Sequence, residues 1–140
     1  MLNLRRAYTN ALLVDAQNNA LILTRSGSHP RHPLEADLPG GILDRRETHE
    51  HGIVREIREE TGIVVFSSDL VEIYKGKASQ PGWKEQSVFI VHLKEVEPAV
   101  VLSWEHDSFE WVPVEQVPYI AGSIQGKIER LIDSGFFESI

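Results

Sequence analysis

The segment from residue 48 to residue 61 constrains the fold most, because its apolar residues recur at helical spacing with charged residues between them. Thr48 is suited to the N-cap, where its hydroxyl can accept a backbone N–H. Gly62 is suited to the position that follows a helix, where a left-handed backbone is common. We therefore predict an amphipathic helix in the middle of the chain, with a core face made of Val54, Ile57 and Thr61.

Segments typical of β-strands lie on both sides of this helix. Residues 5–15 and the later run ALILTRS flank an Asn-rich turn and predict a hairpin, and LPGGIL predicts a short extended piece. After the helix, four segments predict further strands: IVVF, LVEIYKG, SVFIVHLKEV and FEWVPV. PVEQVPYI is broken by prolines, and SIQGKIERLIDSGFF has the spacing of a second helix. This order predicts an α+β domain with helices on the faces of a mixed sheet.

Composition narrows the class of protein further. The 140 residues suit one domain, 1–140. The absence of cysteine excludes disulfides and cysteine–zinc sites, and a net charge of -7 argues against binding nucleic acid by charge alone. Since no apolar run approaches the roughly 20 residues of a membrane span, we predict a cytoplasmic protein without nucleic-acid or membrane partners.

Three carboxylates are the first candidates for chemistry. Glu56, Glu59 and Glu60 fall within an arc of about 100° on the predicted helix, with Glu59 and Glu60 expected on its solvent side. Carboxylates this close repel one another, and the arginines at 55 and 58 compensate only in part. A hard cation such as Mg²⁺ or Mn²⁺ would compensate better, because it prefers clustered oxygen ligands. The alternative is a solvated acidic helix face without function.

A glycine in the same helix supports the first interpretation. Gly52 lies one turn before Glu56, at a position where glycine costs about 1 kcal/mol relative to alanine. A missing side chain there would admit either a ligand or the preceding loop.

The segment from Gly41 to Ile63 resembles the Nudix box, G-x5-E-x7-R-E-U-x-E-E-x-G-U with U aliphatic, at every specified position. Leu38-Pro39-Gly40 resembles its usual lead-in. The resemblance implies a Nudix-fold α/β/α sandwich with a mixed sheet and a loop–helix–loop. It also implies metal-dependent cleavage of a phosphoanhydride in a nucleoside diphosphate linked to another moiety.

The resemblance further implies roles for particular residues. Mg²⁺, or Mn²⁺ in its place, would be held by three carboxylates and one backbone carbonyl: Glu56, Glu59, Glu60 and Gly40. Arg55 would orient these acidic groups and pair with Glu47. The general base varies in the family, and the choices here are Glu56 or a glutamate from a later loop. Glu105 is the best later candidate, with Asp107 and Glu110 as competitors.

Substrate-binding candidates are Arg25, which resembles a strand arginine before the phosphate site, Gly41 of the box, and Trp83, which would stack a base or else pack structurally. We expect Trp104 and Trp111 to pack, and His49 and His51 to point away from the carboxylates without binding zinc. Phe136 and Phe137 would complete the core or support a homodimer. A module that binds nucleotides without cleaving them is the alternative function.

Overall fold

A mixed sheet of seven strands separates two α-helices in the computed structural model, which describes residues 6–139. The strands are β1 (Ala7–Val14), β2 (Asn19–Arg25), β3 (Ala36–Asp37), β4 (Gly40–Ile42), β5 (Leu70–Lys77), β6 (Glu85–His92) and β7 (His106–Pro113). The helices are α1 (His49–Thr61) and α2 (Gln125–Asp133), and 3-10 turns cover Ser67–Asp69, Val114–Tyr119 and Phe136–Ser139. The main path through the sheet is β3-β2-β1-β6-β5, with β4 paired to β1 and β7 paired to β2. Only the β1–β6 pair is parallel among these described strands.

Helix α1 matches its prediction. The Thr48 hydroxyl accepts the backbone N–H of His51 at 3.1 Å, and Gly62 has a φ of 74° at the other end. Ile53 and Ile57 are fully buried beneath the helix, whereas Val54 is only half-buried and packs at the edge of the core. The core face is therefore rotated slightly towards Ile53 from the predicted one.

The sheet carries one apolar core on each face, which confirms the predicted sandwich. Alternate residues of β1 point to opposite faces, so that Ala11 and Leu13 pack beneath α1 while Leu12 and Val14 pack beneath α2. All eight residues of β1 are buried, as expected for a central strand covered on both sides. Phe136 and Phe137 pack against the α2-side core with ring centroids 5.2 Å apart.

Some strand predictions were wrong in detail. The segment IVVF alternates in burial, with Ile63 and Val65 inside, yet it pairs with no described strand and links α1 to the turn at Ser67–Asp69. Alternation reports which side chains are buried, but a strand also needs a neighbour to pair with. Strand β6 begins two residues before the apolar run SVFIVHLKEV, and strand β7 begins three residues before FEWVPV.

Across residues 6–139, no helix combines the length and apolar character required to span a membrane.

Candidate active site

A cavity of about 720 Å³ brings together residues that are far apart in the chain. Its lining includes six residues predicted for the site: Arg25, Gly40, Gly41, Glu56, Trp83 and Glu105. Arg55, Glu59 and Glu60 do not line it. They adjoin it beside Glu56, because all four lie between residues 55 and 60 of α1.

Glu60 lies inside the protein, which corrects its expected place on the solvent side of α1. It is 2% exposed, and its Oε1 accepts the backbone N–H of Gly40 at 3.0 Å. Strand β4 covers this part of the helix, so that Glu60 and the mostly buried Glu56 are shielded. Glu59 lies at the other edge of the carboxylate arc, and its side chain is 56% exposed, as expected.

Both buried carboxylates have raised pKa values, and the charge of Glu56 adds to the shift of Glu60. Burial raises the pKa of Glu60 well above its usual value, and the negative charge of Glu56 raises it further, against the Gly40 N–H. Burial also raises the pKa of Glu56, although the Arg55 guanidinium opposes that shift. The two carboxylates thus lie in a buried space whose positive charge is too small to keep both of them ionised.

Arg55 provides the positive charge that this helix does have. Its Nε and Nη2 donate to the two carboxylate oxygens of Glu47 at 2.7 and 2.8 Å, a bidentate pair that confirms the predicted Glu47–Arg55 contact. Its Nη1 donates to Glu56 at 2.9 Å and to Glu59 at 3.0 Å. These acidic partners raise the pKa of Arg55, so that it stays charged.

The predicted metal ligands do not converge on one point in this arrangement. Within residues 6–139, no three histidine, aspartate or glutamate side chains are grouped as ligands of a single ion. The reason is that Arg55 holds Glu59 and Glu56 in ion pairs, whereas Glu60 turns to the Gly40 N–H.

His49, in the first turn of α1, is buried, and its Nδ1 lies 2.6 Å from the hydroxyl oxygen of Ser87.

Two glycines allow close packing around the carboxylates. A Cβ at Gly41 would lie 2.9 Å from the carboxyl carbon of Glu56, so that a side chain there would displace this group. A Cβ at Gly52 would clash with Leu43 and lie 3.2 Å from Oε1 of Glu47. Gly52 therefore admits the preceding loop and not a ligand.

A buried ionic cluster forms the floor of the cavity. Asp37 accepts hydrogen bonds from Arg25 Nε at 3.1 Å, Lys127 Nζ at 3.1 Å and His106 Nε2 at 3.4 Å. Burial opposes ionisation of Asp37, but Lys127, His106 and Arg25 together hold its pKa well below its usual value. Neither Asp37 nor Lys127 was predicted for the site from the sequence. The available signal was a lysine on the apolar face of α2, between Ile124 and Ile128.

The later-loop acids occupy different places. Glu105 lines the cavity, and its Oε2 lies 3.6 Å from Nε2 of His29. Asp107 instead accepts the backbone N–H of Gly27 at 3.3 Å, and Glu110 borders a separate groove on β7. Of the three candidates, only Glu105 faces the cavity.

The tryptophans divide between the cavity and the core. Trp83 is half-buried in the cavity wall, edge-on to Tyr8 with ring centroids 5.2 Å apart, and the Arg31 guanidinium lies 4.9 Å from its ring centre. Trp111 packs against the α1-side core as expected. The packing prediction for Trp104 was wrong, because this side chain is 67% exposed at the cavity and stacks on His29 at 6.4 Å.

A mixed sheet between two helices, with a glycine-rich turn placed against a carboxylate-bearing helix beside a cavity, defines a Nudix-type domain. The sequence agrees with the structure: the NUDIX domain family matches residues 4–131. The chain therefore belongs to the Nudix family.

Individual relatives show the same likeness over shorter segments. The chain is 34% identical over 65 residues to an ADP-ribose pyrophosphatase of Methanocaldococcus jannaschii, covering 46% of this chain and 38% of the relative. It is 33% identical over 60 residues to an 8-oxo-dGTP diphosphatase of Escherichia coli, covering 43% and 46%. It thus spans less than half the length of these relatives. The MutT protein of Methanosarcina mazei Go1 has the same fold, with a TM-score of 0.77, 22% identity and full coverage of both chains.

Proposed function

We propose that this protein hydrolyses a phosphoanhydride bond in a nucleoside triphosphate or nucleotide conjugate, with Mg²⁺ or Mn²⁺ as cofactor. The observation that carries the proposal is the pair of buried carboxylates, Glu56 and Glu60, beside Gly40 and Gly41 at one end of a cavity with an aromatic wall. A net charge of -7 favours a small substrate over nucleic acid.

The donor set of this site fits a hard divalent cation. Glu56 and Glu60 offer carboxylate oxygens whose ionisation is opposed by burial, and a cation between them would favour the ionised forms. Mg²⁺ and Mn²⁺ prefer such oxygen ligands. We propose Glu56, Glu59, Glu60 and the carbonyl of Gly40 as its ligands. When bound, such an ion neutralises phosphate charge and lowers the pKa of an attacking water.

The remaining residues orient the reacting groups. Arg55 is a positioning residue in this proposal, because its contacts are with Glu47, Glu56 and Glu59 and it does not line the cavity. Arg25 lines the same cavity as Gly41 and supplies a cation for a phosphate. Trp83 presents a ring in the cavity wall on which a nucleobase can stack.

Glu105 is the general base in this proposal. It faces the cavity, whereas Glu56 is already engaged by Arg55 at 2.9 Å. Glu105→Gln is therefore expected to lower kcat on the order of 100-fold or more, the usual contribution of a general base. Steady-state kinetics measure this loss. Asp107→Asn is the matched control, since Asp107 lies outside the cavity. Unchanged kcat in Glu105→Gln would contradict this assignment and leave Glu56 as the remaining candidate.

A substrate panel tests the function itself. Nucleoside triphosphates, oxidised nucleotides, nucleotide sugars, ADP-ribose, diadenosine polyphosphates and coenzyme A are incubated with Mg²⁺ or Mn²⁺, and the products are separated by chromatography. We expect one class to be cleaved much faster than the rest, and cleavage to stop when the metal is chelated. Glu59→Gln is the negative control, because it removes a carboxylate proposed as a metal ligand. This side chain is exposed, so the change leaves the core intact. Nucleotide binding without any product would favour the non-catalytic module.

A further inference from the structure

The imidazole of His29 faces the carboxylate of Glu105 in the wall of the cavity. Its Nε2 lies 3.6 Å from Oε2 of Glu105, and the two side chains are 12% and 36% exposed. Both residues line the cavity. Within residues 6–139, His29 is the one polar partner of this carboxylate. The orientation of the Glu105 side chain therefore depends on His29.

A backbone contact determines which nitrogen of His29 carries the proton. The backbone N–H of Arg31 donates to Nδ1 of His29 at 3.0 Å, so Nδ1 is the acceptor and Nε2 carries the hydrogen of the neutral ring. Burial and the charge of Arg25 lower the pKa of His29, against the opposing effect of Glu105, and so favour this neutral form. The ring thus presents an N–H group to Oε2 of Glu105.

Neighbouring contacts hold the ring in this orientation. The rings of His29 and Trp104 are stacked, with their planes at 29° and their centroids 6.4 Å apart. The backbone N–H of Ser26 donates to the carbonyl of Glu105 at 2.8 Å, and that of His29 donates to the carbonyl of Ser26 at 3.1 Å. The loop after β2 and the loop before β7 are therefore joined beside the contact between the two side chains.

We propose that His29 is a positioning residue for Glu105, which holds one oxygen of this carboxylate so that the other can accept a proton from the attacking water. The inference rests on the proposed function, in which Glu105 is the general base. The contact of 3.6 Å is longer than a hydrogen bond, and contacts of this kind often shorten when a substrate binds. A neutral ring orients the carboxylate without adding a positive charge, which would weaken it as a base. The proton passes from water to Glu105, and His29 neither gains nor loses one.

A double-mutant cycle tests this role. His29→Phe removes the N–H group but keeps a ring against Trp104, and we expect kcat to fall about 10-fold at unchanged KM, because a misplaced base loses part of its contribution. His29→Gln, whose amide can donate from a similar place, should keep kcat within about threefold of the wild type. In the Glu105→Gln background, His29→Phe should have no further effect, since residues that act as a unit are not additive. His92→Phe, the same change at an exposed histidine, is the matched control.

The outcomes of the cycle separate this inference from the function on which it rests. If Glu105→Gln loses activity and His29→Phe does not, the inference fails while Glu105 remains the base. If Glu105→Gln keeps full kcat, the base assignment fails and the positioning role fails with it. An equal loss from His29→Phe in both backgrounds, or a higher KM at unchanged kcat, would also overturn the inference.

Nitrogen-15 NMR of the imidazole provides a measurement that needs neither turnover nor a substitution at His29. We expect the wild-type ring to be neutral at pH 7 with its proton on Nε2, and Glu105→Gln to shift the Nε2 resonance while Asp107→Asn does not. A proton on Nδ1, or an Nε2 resonance that is the same in Glu105→Gln, would overturn the inference even if a nucleotide is cleaved and His29→Phe does not fold.

Discussion

Glu60→Gln is expected to lower kcat by at least about 100-fold in Mg²⁺ while the protein keeps its fold. The loss follows from the proposed role of Glu60 as a direct metal ligand, since residues that only support metal ligands already account for about 10- to 100-fold. The fold is retained because a glutamine oxygen can still accept the N–H of Gly40, whose nitrogen lies 3.0 Å from Oε1 of Glu60 in the wild type. Its amide can donate to Glu56, which removes the repulsion between two buried carboxylates.

In this variant the activity should therefore fall while the stability is retained. In the absence of divalent ions, we expect the free energy of unfolding of Glu60→Gln to equal the wild-type value or exceed it by roughly 1 kcal/mol. Urea unfolding followed by circular dichroism, with and without Mg²⁺, measures this, and the wild type should gain more stability from Mg²⁺ than the variant. Glu129→Gln, on the exposed face of α2, is the matched control for both measurements. Full metal-dependent turnover in Glu60→Gln would contradict the ligand assignment.

The elements that carry local signals could be predicted from the sequence. Helix α1 has its cap at Thr48, its apolar spacing and its terminal glycine within fifteen residues, so no distant contact was needed to recognise it. The β1–β2 hairpin likewise depends on two apolar runs and the turn between them. The Nudix motif placed Glu56, Gly41 and Glu47 in one local unit, and the structure joins them.

Burial of the carboxylates could not be predicted in the same way. The helical arc places Glu60 beside Glu56, but whether that side meets solvent depends on β4, which packs over it. Trp104 shows the converse error. An aromatic residue near a strand usually packs, yet this one precedes β7 in a loop and stacks on His29 at the cavity.

The cluster around Asp37 could not be predicted from the sequence for a related reason. Its members come from β2, β3, β7 and α2, and no spacing in the sequence relates them. In the sheet, β2 pairs with both β7 and β3. Only this topology places His106 of β7 and Arg25 of β2 around the carboxylate of Asp37. The buried lysine of α2 then completes the cluster from outside the sheet.

Asp37→Asn is expected to destabilise the protein by about 3–5 kcal/mol at pH 7, the usual consequence of removing one partner from a buried ion pair. The variant leaves the cations Arg25 and Lys127 buried without their counter-charge. Urea unfolding at pH 7 measures the loss, and Glu129→Gln serves again as the exposed control. A change below about 1 kcal/mol would show that the cluster adds little net stability.

The acid limb of the stability curve gives an independent test of the same residue. The partners of Asp37 hold its pKa below the unfolded value, so the folded protein binds the proton less readily than the unfolded chain. Its contribution to stability is therefore complete above the unfolded pKa of about 4 and is lost as the pH falls below it. Unfolding free energies measured between pH 7 and pH 3 should fall more steeply in the wild type than in Asp37→Asn. Parallel curves would show that Asp37 does not contribute to acid unfolding, whatever the variant does at pH 7.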